Sequence, residues 1–379
     1  MNSLCDSLKC QQDSNDTVIY CSVQIHLLIE SPFYTDRIVR KMANFNTEEK
    51  CFVRIRSHKS VLFQDTSGNK EMSLVQLNRH LNTLSPTRCY IHFLSSSIAY
   101  ILHKTKLAEK PCYWIMWGAD FYGLPAFSQQ YYLPKSKPFA WKNDGFKSKL
   151  IQFLGLPSSK YVMNIFKDID FFVGYEEEFT LTQMALQHNM KFLPWEYYFN
   201  IQELDIPPIN QGQGPILLGN SDDPMNNHLD TLEQLEKVIS PNQKIIIPVA
   251  GADEAYFRKL KEYKGNSKAE ILLIEKFMNS DAFFNLMSKV SYVVYGHLRQ
   301  QGVGTIIPLL FAGKKAFLWD VNPLKGILTR WGLSVSSLDK ISPDDFTLLQ
   351  PNEVERQRKA LRKVLSVKAD KKRWEKILN

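Results

Sequence analysis

Apolar residues along this chain gather into short runs bounded by polar turns, and these alternate with stretches of helical spacing. Val18–Glu30, Cys51–Ser57 and Ser60–Gln64 read as strands, rich in β-branched and aromatic residues at strand length. Tyr90–Phe93, Tyr113–Trp117 and Asp170–Gly174 are three more, with helices predicted over Phe33–Phe45 and Ser96–His103. Residues 206–215 break the pattern with prolines and glycines and little to bury, as a linker does. A second block then restarts. Strands are predicted at Ile216–Asn220, Lys244–Val249, Ile271–Ile274, Val290–Tyr295 and Lys315–Trp319. Helices are predicted over Met225–Ile239, Asp253–Tyr263 and Asp281–Met287, with another opening at Ile306–Ala312. The expected fold is α/β: two doubly wound, Rossmann-like domains, residues 17–205 and 216–350, facing each other across a cleft. Residues 1–16 are expected to be a disordered polar start, and residues 351–379 a basic amphipathic C-terminal helix.

Composition narrows the class. The 379 residues are 44% apolar and 23% charged, a soluble globular balance. No apolar run reaches the ~18 residues of a membrane span. The start, Met1–Lys9, lacks the basic opening and apolar core of an export signal, so a cytoplasmic chain is expected. All six cysteines lie in the first 112 residues without a Cys-x-x-Cys pair, which favours reduced thiols over a zinc site. The net charge of +8 is uneven: from Asn352 onward ten Lys/Arg face four Asp/Glu, a surplus of six. Leu361, Val364, Leu365, Trp374, Ile377 and Leu378 recur there at helical intervals. Such a helix suits an anionic membrane surface or nucleic acid, and an ordinary C-terminal helix with a solvated basic face has the same pattern.

The candidate chemistry centres on His297–Thr305. A strand, a glycine-containing turn with Arg299, and the start of an apolar helix make an anion grip, because free N–H groups point at the ligand and glycine admits it closely. Thr305 is the predicted N-cap. Gly219, Asn220 and Ser221 form a second such turn, followed by the helix start Asp223-Pro224. Two turns in one domain, one bearing an arginine, fit a diphosphate. Gly302 and Gly304 lack the third glycine of a dinucleotide fingerprint, Ile307 standing in its place. No Gly-Lys-Ser/Thr loop marks an ATPase. Asp168-Ile-Asp170 reads as the start of a strand rather than a metal site, and Glu176–Glu178 as a solvated charge run. Trp117-Gly-Ala-Asp120 with Tyr122 sits at a strand end, where a carboxylate and aromatics suit a sugar-binding, proton-accepting site. The same residues also suit a capping aspartate beside a buried tryptophan. His92 ends a neighbouring strand, either as a structural histidine or as the base.

These segments together resemble a known family. Trp117-Gly-Ala-Asp120 with Tyr122, Gly219-Asn-Ser221 with Asn227-His228, Glu275-Lys276, and Arg299-Gln-Gln-Gly-Val-Gly-Thr305 with Asn322-Pro323 are similar in order and spacing to the TDP-N-acetylfucosamine:lipid II N-acetylfucosaminyltransferases, glycosyltransferase family 56. The likeness runs from about residue 86 to 340, with His92 in register. Ile115-Met116 replaces a His-Ile pair of the family, the N-terminus is extended and the tail is more basic.

The resemblance implies a GT-B fold. It also implies transfer of an amino-deoxy sugar from a TDP donor to an undecaprenyl-diphosphate-linked oligosaccharide of enterobacterial common antigen or O-antigen, by a peripheral protein at the cytoplasmic face of the inner membrane. Gly219, Asn220, Ser221, Glu275, Arg299, Gln300, Gln301, Gly302, Gly304 and Thr305 would then bind the donor. Asp120 or His92 would be the base, and Trp117 and Tyr122 would meet the acceptor. No metal or other cofactor and no nucleic acid are expected. The rival readings are a nucleotide-sugar epimerase on the same architecture and a non-catalytic basic binding protein.

Overall fold

The computed structural model describes residues 23–31, 34–45, 48–56, 60–84, 86–140, 158–196, 200–204, 206–207 and 213–379. The expected disordered start, residues 1–16, and the centre of the linker, residues 208–212, lie outside the described residues. The described residues fall into two compact units. The first takes those up to Leu124, those between 143 and 198, and the final segment 372–379. The second takes those between 125 and 142 and those from 199 to 371.

In the first unit the strands are β1 (Val23–Ile29), β2 (Glu49–Ile55), β3 (Ser60–Asp65), β4 (Gly68–Ser73), β5 (Arg88–His92), β6 (Cys112–Ile115), β7 (Phe171–Gly174) and β8 (Lys191–Pro194). Their order is β4-β3-β2-β1-β5-β6-β7-β8, parallel except for the β3–β4 hairpin, which runs antiparallel beside β2. One row of rings crosses this sheet. Phe52, His26, Tyr90, Tyr113 and Phe171 occupy matching register positions on five adjacent strands, and the Lys191 ammonium lies over the last ring. The centroid spacings from His26 onward, 4.8, 4.7 and 4.3 Å, are those of stacked rings. Cys51, Cys89 and Cys112 are buried free thiols.

The second unit holds β9 (Ile216–Leu218), β10 (Lys244–Pro248), β11 (Glu270–Ile274), β12 (Tyr292–Tyr295), β13 (Lys315–Leu318) and β14 (Val335–Ser337), in the order β11-β10-β9-β12-β13-β14. All pairings are parallel. The order reverses at β9 and β12. In open α/β sheets ligands bind outside the carboxyl ends of the strands at such a switch point, and both predicted anion turns follow these two strands.

Several elements differ from expectation. β4 and the helix Leu74–Leu84 were not predicted, because β4 is an exposed, polar edge strand without the apolar signature. The charge run Glu176–Glu178 opens a helix, Glu176–Leu186, and Glu178 is buried rather than solvated. Residues 351–379 form two helices, Pro351–Val364 and Val367–Leu378, because the chain leaves helical geometry at Leu365 and Ser366 Oγ accepts the Ala369 N–H of the second helix. Their apolar positions Leu361, Leu365, Trp374, Ile377 and Leu378 are buried in the protein, so this face is not presented to a membrane. The segment from Pro125 belongs to the second unit for a local reason. Asp230 accepts the Lys135 and Ser136 N–H groups and the Ser136 hydroxyl, and Asn227 accepts the Leu133 N–H.

Candidate functional site

In the second unit the two predicted anion turns meet. Gly219, after β9, takes φ +75, and a Cβ there would lie 2.4 Å from His228 Nε2 and 2.6 Å from Asn226 Oδ1. Only glycine fits that backbone and that space. Gly302 takes φ +72 and is the N-cap of the helix Val303–Phe311. A Cβ at Gly302 would meet Asn220 Nδ2 at 2.9 Å, so the turns are in contact. Gln301 ties them: its Nε2 donates to Asn220 Oδ1 at 3.2 Å and to Ser221 Oγ at 3.3 Å. Asn226 braces the first turn by accepting the Asn220 N–H and donating to Ser221 Oγ.

The helix begins one turn earlier than predicted. Thr305 is therefore not the N-cap; it lies inside the first turn, its N–H bonded to Gly302 O. The N–H groups of Val303 and Gly304 precede any intrahelical acceptor. Gly304 is exposed and Thr305 half-buried. Two further motif residues hold the loop from behind, Asn227 Nδ2 donating to Gly296 O and Asn322 Nδ2 to His297 O. The helix Pro351–Val364 backs the helix of this turn, with Arg358 and Arg362 over the Phe311 ring.

Arg299 is placed differently from expectation. It is 5% exposed. Its Nη2 donates to Asp223 Oδ2 at 3.2 Å, its Nε to Met225 Sδ at 3.1 Å and its Nη1 to Gln300 O at 3.3 Å. It ties the loop to the Asp223–Met225 turn instead of offering a guanidinium outward. Gln300 is buried beside it. Glu275 is exposed after β11, 3.9 Å from Lys261 Nζ. Phe277 lies in the same loop and is 87% exposed, its ring edge 3.6 Å from the Cβ position of Gly251. The same Gly251 position is 3.2 Å from Asp222 Oδ2, at the end of the first anion turn. Composition could not single out Phe277, because a lone aromatic in a polar loop carries no periodic signal.

The predicted residues of the first unit are largely internal. Asp120 is 3% exposed, and its carboxylate accepts the Trp114 indole N–H at 2.7 Å and the N–H groups of Leu94 and Trp117 at 3.1 Å each. Burial raises its pKa, and these hydrogen bonds pull it back only in part. His92 is 1% exposed and bonded to His26 Nδ1 at 3.0 Å, and burial lowers its pKa to about 3. Tyr122 is fully buried and donates to Glu178 Oε1 at 3.0 Å, so it belongs to the core. Neither Asp120 nor His92 reaches solvent, and the geometry gives both scaffold work rather than the part of a base. Trp117 alone of this group is half-exposed.

Buried imidazoles recur in both units. His26 and His92 in the first, and His228 and His297 in the second, are held neutral by desolvation, with His92 and His228 at about 3. The unfolded chain takes up these protons near pH 6.5, the folded chain only far below. Stability is therefore complete above about 6.5 and falls as pH drops beneath it, by about 1.4 kcal/mol per pH unit for each histidine. The melting temperature should decline steeply from pH 6.5 to 5. A flat profile there would show that these rings are not buried neutral.

Residues 155–373, more than half of the chain, match the family described as 4-alpha-L-fucosyltransferase glycosyl transferase group 56. The chain belongs to glycosyl transferase group 56. Solved structures agree on the fold of this group 56 protein. A glycosyltransferase from Rickettsia africae ESF-5 superposes with a TM-score of 0.60 at 12% identity, covering 94% of this chain and 98% of that one. The sucrose-phosphate synthase of Thermosynechococcus elongatus gives 0.58 at 9% identity, with 93% and 98% covered. The Anabaena protein HepE, solved with UDP and glucose, gives 0.56 at 8%, with 94% and 99% covered. The architecture is GT-B, and the group 56 protein is a glycosyltransferase.

Proposed function

We propose that this group 56 enzyme transfers an N-acetylfucosamine-like amino-deoxy sugar from a TDP donor to a polyprenyl-diphosphate-linked oligosaccharide in surface polysaccharide synthesis. The observation that carries the reading is the pair of glycine turns joined by Gln301 at the switch point of the second sheet. The N–H groups of Val303 and Gly304, at a helix N-terminus, would stabilise the charge of the departing diphosphate. The family description and the resemblance in motif order support a deoxy-sugar donor. HepE, of like fold, was solved with a nucleotide. Phe277, exposed beside the same turns, would stack on the nucleobase.

In this reading the leaving group needs no metal, so EDTA should leave transfer intact; strict dependence on a divalent ion would remove that part. Among the described residues no helix is long and apolar enough to cross a membrane. Attachment at the cytoplasmic face of the inner membrane would be peripheral. It would rest on the cationic surplus of the last two helices, since most of their apolar positions are buried, and high salt should abolish co-sedimentation with anionic vesicles.

The test is calorimetric titration with TDP, UDP, GDP and inorganic diphosphate. TDP should bind more tightly than the other two nucleotides. Phe277→Ala should weaken TDP about tenfold, the worth of one stacked ring, and leave inorganic diphosphate unchanged. Absence of nucleotide binding to the wild-type protein would overturn the reading.

A further inference from the structure

The carboxyl edge of the first sheet carries a feature that the donor site does not use. Phe93, directly after β5, takes φ +77, a left-handed conformation that a bulky side chain rarely adopts and that persists only where its surroundings enforce it. Asp120 enforces it. Its Oδ2 accepts the N–H of Leu94, the next residue, at 3.1 Å, together with the Trp114 indole N–H at 2.7 Å. Its Oδ1 accepts the Trp117 N–H at 3.1 Å. One buried carboxylate thus fixes the turns after β5 and β6 together.

The rings on these turns come into contact. Trp117 lies edge-to-face with Phe93, centroids 6.3 Å apart at 85°, and with Tyr34, 5.4 Å apart at 86°. Tyr34 is 39% exposed, and Phe93 and Trp117 are half-buried. Glycine would fill the Phe93 turn without strain, so the phenyl ring there is explained by what it touches. Apolar faces of sugar rings stack on such aromatic groups, and the carboxyl ends of parallel strands are where α/β sheets take ligands.

We propose that Tyr34, Phe93 and Trp117 form a saccharide-stacking platform for the acceptor, and that Asp120 is the positioning residue that holds it. This rests on the glycosyltransfer reading above, with the first unit taking the acceptor.

The experiment is steady-state transfer from TDP-N-acetylfucosamine to a short-chain prenyl-diphosphate-linked disaccharide. Wild-type transfer tests the glycosyltransfer reading, and its absence overturns that reading and this proposal together. Phe93→Gly removes the ring and relieves the backbone. It should keep or raise the melting temperature, leave the donor KM unchanged and raise the acceptor KM about tenfold. Asp120→Asn should raise the acceptor KM while keeping kcat within about tenfold and the acid limb of its pH profile. A folded Phe93→Gly enzyme with the wild-type acceptor KM would overturn the platform. Loss of the acid limb in Asp120→Asn, with kcat down about a thousandfold and the acceptor KM unchanged, would make Asp120 a base and overturn its positioning role.

Discussion

Deleting residues 372–379 is expected to unfold the first unit rather than to release an otherwise intact protein from a membrane. Trp374, Ile377 and Leu378 are at most 1% exposed, and Trp374 packs edge-to-face on Trp195 with centroids 6.0 Å apart. The last carbonyls of this helix are also claimed by side chains of the sheet. Gln24 Nε2 and Arg88 Nη1 donate to Leu378 O at 2.8 and 2.7 Å, and the Tyr90 hydroxyl donates to Ile377 O at 3.1 Å. Truncation would therefore open the apolar core and take from three donors the acceptors they now hold. Trp374→Ala alone should cost ~3–5 kcal/mol, a large part of the ~5–15 kcal/mol that holds a domain folded. Thermal denaturation followed by circular dichroism measures this. A truncated protein with an unchanged melting temperature would mean that the helix is not part of the fold.

Arg299→Ala is expected to lose donor binding by orders of magnitude and to loosen the second unit as well. The guanidinium is almost fully covered, while its partner Asp223 is about a third exposed, with side-chain values of 6% and 37%. Breaking the pair should therefore cost about 2 kcal/mol, less than a wholly buried pair. The effect on the donor follows from what the arginine holds. It fixes Asp223 and Met225, the Asp223 carbonyl accepts from Asn226 Nδ2, and Asn226 braces Asn220 and Ser221. Arg299→Lys separates this tie from a direct charge on phosphate. An ammonium restores the charge but not the fork that spans Asp223 Oδ2 and Met225 Sδ. Lysine should fail nearly as badly as alanine in TDP titrations. Recovery of affinity by lysine would instead assign Arg299 to the phosphate.

The parts legible in the sequence are those with a periodic or backbone signature. The five buried strands β9 to β13 and both glycine turns were readable, because buried parallel strands are continuous apolar runs and left-handed turns demand glycine, whereas β14, three half-buried residues at the sheet edge, was not. β4 was not, since a polar edge strand has no such run. Nor was the crossing of Pro125–Lys142 into the second unit, which depends on Asp230 and Asn227 some ninety residues away. The site residues divide on the same line. Gly219 and Gly302 could be named from backbone needs alone. Asp120, His92, Tyr122 and Arg299 have the right chemistry and the right strand ends, but spacing along a chain does not say whether a side chain points into the core or out of it. Phe93 gave no signal, because nothing in its neighbours announces a positive φ.

The most direct test of the proposed chemistry is one incubation of the purified chain with TDP-N-acetylfucosamine and a short-chain prenyl-diphosphate-linked disaccharide, followed by mass spectrometry of the acceptor. The expected result is an acceptor heavier by one N-acetylfucosamine residue, with TDP released in equal amount. An unchanged acceptor alongside free sugar and TDP, or no consumption of the donor at all, would contradict it.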